Sequence, residues 1–171
     1  MKKILITGGA GYIGSHAVKL FLEKGFSVVV LDNFFRGYHE PMRILDKFGD
    51  LSVEEVDLLD EEAVKRVFKK HKIDAVLHFA ALCLVNESVE EPQKYMRSNI
   101  EGTRNLLDAM SEAGVKQIIF SSTCAVYGEA KILQVDEEHP TNPVNPYGES
   151  KLGAENLIRE YEKQHEIRSV I

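Results

Sequence analysis

The chain has 171 residues, 44% hydrophobic and 28% charged, with a formal net charge of −6. That length suits one globular domain with a core of its own. The acidic balance argues against a nucleic-acid-binding surface, which needs a basic face to neutralise phosphates. No apolar run approaches the ~18 residues of a membrane span, and the run after Met1-Lys2-Lys3 breaks at Thr7-Gly8-Gly9, too early for a signal peptide. We therefore expect a cytoplasmic protein.

Short apolar runs alternate along the chain with longer periodic segments. Ile4-Leu5-Ile6 is the first run and Val28-Val29-Val30-Leu31 the second. A weaker one follows from Leu51 to Val56. Ala75-Val76-Leu77 and Ile118-Ile119-Phe120 come next, and Ser169-Val170-Ile171 begins a sixth. Short runs without alternation suit strands buried on both faces.

Between them lie four helical patterns. Tyr12 to Lys24 places Ile13, Val18, Leu20 and Phe21 on one side and stops at Gly25. Asp60 to His71 opens with acids and closes with Lys69, Lys70 and His71, matching the helix dipole. Pro92 to Ala113 carries Met96, Ile100, Leu106, Leu107 and Met110. Tyr147 to His165 carries Leu152, Leu157, Ile158 and Tyr161. The segment from Phe34 to Asp50 reads as irregular, with a short helix after Pro41. Three prolines make Gly128 to Pro146 an extended loop. Alternating strands and helices predict an α/β fold with a doubly wound parallel sheet in three layers.

Thr7-Gly8-Gly9-Ala10-Gly11-Tyr12-Ile13-Gly14 joins the first strand to the first helix. Glycines at 8, 11 and 14 let the backbone turn tightly and approach a diphosphate, which the helix N-terminus favours through its free N–H groups and dipole. A glycine trio alone is a weak signal. Here it sits between a strand and a helix, and Asp32 closes the second strand. A carboxylate there accepts from ribose hydroxyls and repels a 2′-phosphate, so NAD is expected rather than NADP. Arg36, close by, pulls the other way.

Tyr147 and Lys151 are four apart in a helical segment and share a face. An ordinary helix edge would show the same spacing. The preceding strand ends at Ser121-Ser122-Thr123, and ligands of such sheets collect at the strands' carboxyl ends. An ammonium beside a phenol favours the phenolate. Lowering a tyrosine pKa from ~10 by about three units takes roughly 4 kcal/mol, more than one cation supplies near water. Two cations in a closed site, the lysine and the nicotinamide, would suffice.

Cys83 and Cys124 match no metal-ligand spacing, so no metal is expected. They read as two buried free thiols of a reducing compartment. A sharper reading puts both near the nicotinamide pocket, because they follow neighbouring strands. His16 reads as structural or solvent-facing, and Asp136-Glu137-Glu138 as a solvated loop.

These motifs, together with Val56-Asp57-Leu58, His78-Phe79-Ala80-Ala81, Asn99 with Gly102-Thr103, Phe120 to Thr123, Val126-Tyr127-Gly128 and Tyr147-Gly148-Glu149-Ser150-Lys151, resemble the extended branch of the short-chain dehydrogenase/reductases. The resemblance is greatest to the UDP-glucose (UDP-galactose) 4-epimerases and runs from Lys3 to Ile171. It implies an NAD-binding Rossmann domain over 1–171. It also implies a cofactor site of Gly8, Gly11, Tyr12, Ile13, Gly14, Asp32, Asn33, Asp57, Leu58, Phe79, Ala80, Ala81, Asn99, Ser121, Tyr147 and Lys151. The implied catalytic set is Thr123 on the reacting sugar oxygen, Tyr147 as base, and Lys151 binding the nicotinamide ribose and tuning Tyr147. The implied reaction oxidises carbon 4 of a UDP-sugar and returns hydride to its other face.

Dehydratases of this branch usually carry an acidic pair after the threonine, whereas Cys124-Ala125 follows here, which favours an epimerase or simple oxidoreductase. The epimerases commonly hold the nicotinamide end with a lysine where this chain has Cys83, so irreversible cofactor retention is not implied. Family members run well beyond this length. We expect a sugar-nucleotide-binding C-terminal portion to be absent, sheet edge and apolar surface to be exposed near Ile171, and a homodimer through the helices from Pro92 and Tyr147. The alternatives are a standalone NAD-binding module without catalysis and a related nucleotide-sugar dehydrogenase or reductase.

Overall fold

A computed structural model describes residues 2–130 and 134–171; residues 131–133 of the expected loop and Met1 lie outside that description. In chain order the elements are β1 (Lys3–Thr7), α1 (Tyr12–Glu23), β2 (Ser27–Asp32), α2 (His39–Leu45), β3 (Leu51–Glu55), α3 (Glu61–Lys70) and β4 (Ala75–His78). There follow α4 (Val85–Glu90), α5 (Pro92–Met96), a π-turn (Arg97–Glu101), α6 (Gly102–Glu112), β5 (Gln117–Phe120), a 3-10 turn (Cys124–Tyr127), α7 (Pro146–His165) and β6 (Arg168–Val170). All five strand pairings are parallel, in the order β3-β2-β1-β4-β5-β6.

The strands alternate faces, and each face has its own core. Leu5, Val29, Leu31, Val76, Ile118 and Phe120 pack with α3, α6 and α7 residues such as Val64, Leu106, Met110 and Ile158. Ile4, Ile6, Val28, Val30 and Leu77 pack on the other side with Val18 and Leu22 of α1 and Met42 and Leu45 of α2. The period of two decides which core receives each side chain. Truncating Leu106 to alanine would cost about 2–5 kcal/mol of transfer and cavity energy.

Local chemistry explains the helix ends. Asp60 Oδ1 accepts from Ala63 N at 2.9 Å and caps α3, with Glu61 and Glu62 in its first turn and Lys69 and Lys70 in its last. Asn145 caps α7 through Gly148 N at 2.8 Å, and Pro146 takes the first helical position.

Several expectations need correction. The buried stripe of α1 is Gly14, Val18 and Leu22, spaced by four; Ile13 and Leu20 are exposed. Pro41 lies inside the first turn of α2, where its missing N–H would have had no intrahelical partner anyway. The helix expected from Pro92 to Ala113 is interrupted by the π-turn. Cys83 and Cys124 are free as expected but exposed rather than buried. His16 and Asp136-Glu137-Glu138 are exposed. At the far edge Ile119 and Val170, partners in register, are exposed together, as is Ile171. Among the described residues no helix is long and apolar enough to cross a membrane.

Candidate functional site

From β1 the chain winds outward through β2 to β3, then returns to place β4 on β1's other side. A crevice opens beyond the carboxyl ends of the strands at such a reversal. Here it is a cleft of about 500 Å³.

Gly8, Gly11, Tyr12, Ile13 and Gly14 form its floor. Gly8 has φ +70°, and a Cβ there would stand 2.6 Å from Ala80 N. At Gly14 a Cβ would stand 2.0 Å from Gly8 O. Only glycine lets the loop close on itself and on the end of β4. Gly11 caps α1 without a side chain, and no acid stands in the helix's first turn. Its leading N–H groups are left for a ligand, and no local carboxylate competes for the dipole.

At one end of the cleft stand Asp32 and Asn33, and beside them Asp57 and Leu58. Asp32 Oδ2 accepts from Ala10 N at 3.0 Å and Oδ1 from Phe34 N at 2.9 Å, which fixes the carboxylate against the glycine loop. Asn33 donates to Asp57 Oδ2 at 2.8 Å. Phe79, Ala80 and Ala81 line the middle, held by a buried chain of bonds. Thr103 donates to Asn99 O at 2.6 Å and so accepts from His78 Nε2 at 2.9 Å. His78 Nδ1 then accepts from the Thr7 hydroxyl at 2.7 Å, and Thr7 accepts from Ala80 N at 3.3 Å. Burial, with the Lys151 charge adding to it, lowers the His78 pKa to about 3, so the ring is neutral.

Ser121, Ser122, Cys83, Tyr147 and Lys151 close the other end. Lys151 is buried with its Nζ 4.0 Å from the centre of the Phe120 ring. Burial lowers its pKa to about 8, against the opposing pull of Glu155 and Cys83. Tyr147 is pushed up by burial, while a hydrogen bond from Thr123 works to lower it and Cys83 and Cys124 to raise it. In the protein alone, desolvation outweighs the stabilisation of a phenolate. Both thiols are close enough to Tyr147 to raise its pKa, and Cys83 lines the cleft.

Two expected site residues do not line the cleft. Thr123 is hydrogen-bonded to Tyr147, and its Oγ1 also accepts from Ala125 N at 3.2 Å. Asn99 faces the protein: it accepts from Leu82 N at 2.9 Å and donates to Leu82 O at 3.0 Å and Ser150 Oγ at 2.9 Å. It supports the site instead of lining it. Ser122 donates to the buried Glu155 carboxylate, which also meets Arg159 at 3.2 Å. Glu155 escaped the sequence reading because its partner is 33 residues away, although its position one turn after Lys151 was a signal.

The GDP-mannose 4,6 dehydratase family matches residues 5–171. UDP-glucose 4-epimerase of Mus musculus is 47% identical over 169 residues, covering 94% of this chain and 49% of its own. The UDP-Glc/GlcNAc 4-epimerase of Campylobacter jejuni superposes with a TM-score of 0.96 at 41% identity, covering 99% of this chain and 52% of its own. UDP-glucose 4-epimerase of Brucella ovis, solved in complex with NAD, gives 0.92 at 40% identity, covering 99% and 50%. The chain thus spans about half the length of the relatives it matches.

Proposed function

The chain belongs to the GDP-mannose 4,6 dehydratase family, and we propose that it is the NAD-binding part of a UDP-glucose 4-epimerase-type enzyme. The observation that carries this reading is one cleft. The glycine loop and Asp32 stand at one end of it, Tyr147 and Lys151 at the other.

The residues present fit NAD. The uncapped start of α1 and the glycine cradle suit a diphosphate, and the fixed Asp32 carboxylate suits a ribose with free 2′- and 3′-hydroxyls. Asn33, Asp57 and Leu58 would flank the adenine, and Phe79, Ala80, Ala81 and Ser121 the middle of the molecule. Bound NAD supplies a reversible hydride acceptor. Lys151 would hold the nicotinamide ribose from its dry seat on Phe120. Tyr147 would take the proton from the sugar's 4-hydroxyl and later return it, with Thr123 steadying that oxygen. A positive nicotinamide beside Tyr147 adds the second cation needed to overcome desolvation of the phenolate. Cys124-Ala125, in place of an acidic pair after Thr123, supports epimerisation over dehydration.

Calorimetry on the 171-residue chain tests this: NAD binds, UDP-glucose adds little, and turnover is slight until the remaining half of a full-length relative is supplied. An unchanged melting temperature with NAD and NADH would remove the proposal's foundation. NAD binding without turnover in the presence of that half would favour the non-catalytic NAD-binding module. A homodimer through α5, α6 and α7 is part of the proposal, checked by sedimentation against the 19.3 kDa monomer mass.

A further inference from the structure

Asp32, which ends β2, and Arg36, four residues further along the chain, both line the cleft. Their charges favour opposite ligands: a carboxylate suits a ribose with a free 2′-hydroxyl, and a guanidinium suits a 2′-phosphate. The outcome depends on what holds Arg36.

Arg36 Nη2 lies 2.6 Å from Glu87 Oε2 in an ion pair that joins the loop after β2 to α4. Glu87 is itself pinned. Its Oε2 also accepts from the Tyr95 hydroxyl at 2.7 Å, and its Oε1 meets Lys94 Nζ at 2.9 Å. Tyr95 is fully buried, and its hydroxyl accepts in turn from Leu84 N at 3.0 Å. Lys94 is held from its other side by Glu91 at 3.0 Å. The Phe35 ring, which lines the cleft, has Arg36 Cζ 5.4 Å and Lys94 Nζ 5.7 Å from its centre. The pair is only partly exposed, and the Tyr95, Lys94 and Arg36 contacts hold the Glu87 carboxyl below its usual range, so it stays charged through neutral pH.

We propose that Glu87 is a specificity-determining residue for the cofactor: it engages and neutralises the Arg36 guanidinium, leaving Asp32 to select a ribose without a 2′-phosphate. The inference rests on the NAD reading above and adds to it a residue outside the cleft, 51 positions from its partner. Asp32 supplies the rejection of a 2′-phosphate, and Glu87 neutralises a guanidinium of the following loop that would attract it.

The test is equilibrium binding of NAD and NADP to the 171-residue chain, wild type against Glu87→Gln, read as the ratio of dissociation constants. Glutamine can still accept from Tyr95 but carries no charge. The preference for NAD over NADP is expected to fall by about tenfold or more in E87Q, through tighter NADP binding. Adding Arg36→Ala to E87Q is expected to restore the wild-type ratio. A ratio unmoved in folded E87Q, or a gain for NADP that survives removal of Arg36, overturns the proposal. Should E87Q fold poorly, Arg36→Ala alone decides. A neutralised arginine helps neither cofactor, so the ratio should hold within about threefold, whereas a tenfold loss of NADP affinity would show Arg36 already serving the phosphate. Wild-type protein that binds no NAD would sink the proposed function; NAD binding with an unmoved E87Q ratio sinks this inference alone.

Discussion

Asn99 donates to Ser150 Oγ at 2.9 Å, and Ser150 passes the connection on by donating to Tyr147 O at 2.8 Å. With its two bonds to Leu82, Asn99 thus ties the segment after β4 to the first turn of α7, where Tyr147 stands. The three bonds of Asn99 are buried. Asn99→Ala would leave the Leu82 N–H and C=O without partners, at a cost of about 3 kcal/mol. Urea unfolding should show that loss, with a looser Tyr147 environment by near-ultraviolet dichroism. A variant as stable as wild type would show that the link carries no weight.

Gly14 and Gly11 separate two roles in the phosphate loop. A Cβ at Gly14 collides with Gly8 O, while at Gly11 its nearest neighbour is Gly8 O at 3.3 Å. Gly14→Ala should therefore destabilise the fold by several kcal/mol, because the Gly8 backbone must shift to admit the methyl. Gly11→Ala should melt within a few degrees of wild type yet bind NAD about tenfold more weakly, because the added methyl crowds a ligand-facing loop. Paired thermal melts and calorimetry distinguish the two; equal NAD affinity for Gly11→Ala and wild type would rule out a diphosphate at this position.

These contrasts mark what the sequence could show. Gly8, Gly14 and Asp32 are legible because a tight strand–turn–helix and the acid ending the next strand are local patterns. Tyr147 and Lys151 are legible because helical spacing puts them on one face. Pairs closed by the fold are not: Ser122 finds Glu155, and Arg36 finds Glu87, across 33 and 51 residues with no periodic trace. The Asn99 bonds were invisible for the same reason, since its partners Leu82 and Ser150 come from elsewhere in the chain. The cysteines were misjudged because thiols are usually buried, whereas both follow strands that end at an open cleft. In α1, Ile13 and Leu20 look like core by composition, but the spacing of four from Gly14 decides which stripe meets the sheet.

His78 gives the stability a pH signature. Its folded pKa of about 3 lies below its ordinary value of 6.5. The unfolded chain therefore binds a proton between those limits that the folded chain refuses. This contribution is fully present above pH 6.5 and is lost as pH falls toward 3. The slope from this group approaches about 1.4 kcal/mol per pH unit. Urea midpoints measured at descending pH should fall more steeply for wild type than for His78→Gln, which has no ring to protonate. Parallel slopes would mean that His78 already carries its proton in the fold.

Tyr147 and Lys151 should titrate in opposite senses from their ordinary values. Burial holds the phenol above its ordinary value of 10.0, so it is protonated at neutral pH in the protein alone. Saturating NAD, which is proposed to place a cation beside it, should lower the phenolate midpoint by at least about one unit. The difference in phenolate absorbance between wild type and Tyr147→Phe isolates this residue from the other tyrosines. Lys151→Met should remove part of the NAD-induced shift. A midpoint indifferent to NAD would deny Tyr147 the role of base.

Cys83 and Cys124 provide a reporter at the same end of the cleft. Both are exposed, both raise the Tyr147 pKa, and Cys83 lines the cleft with Tyr147 and Lys151. Cys83 and Lys151 line the same cleft, so saturating NAD should slow Cys83 alkylation by a thiol reagent about tenfold by occlusion. Cys124, beside Thr123 and not among the lining residues, should be protected less. Mass spectrometry on the timed reaction, with Cys83→Ser and Cys124→Ser as single-site controls, measures each rate. Equal rates with and without NAD would place the nicotinamide end away from these thiols and, with it, from Tyr147.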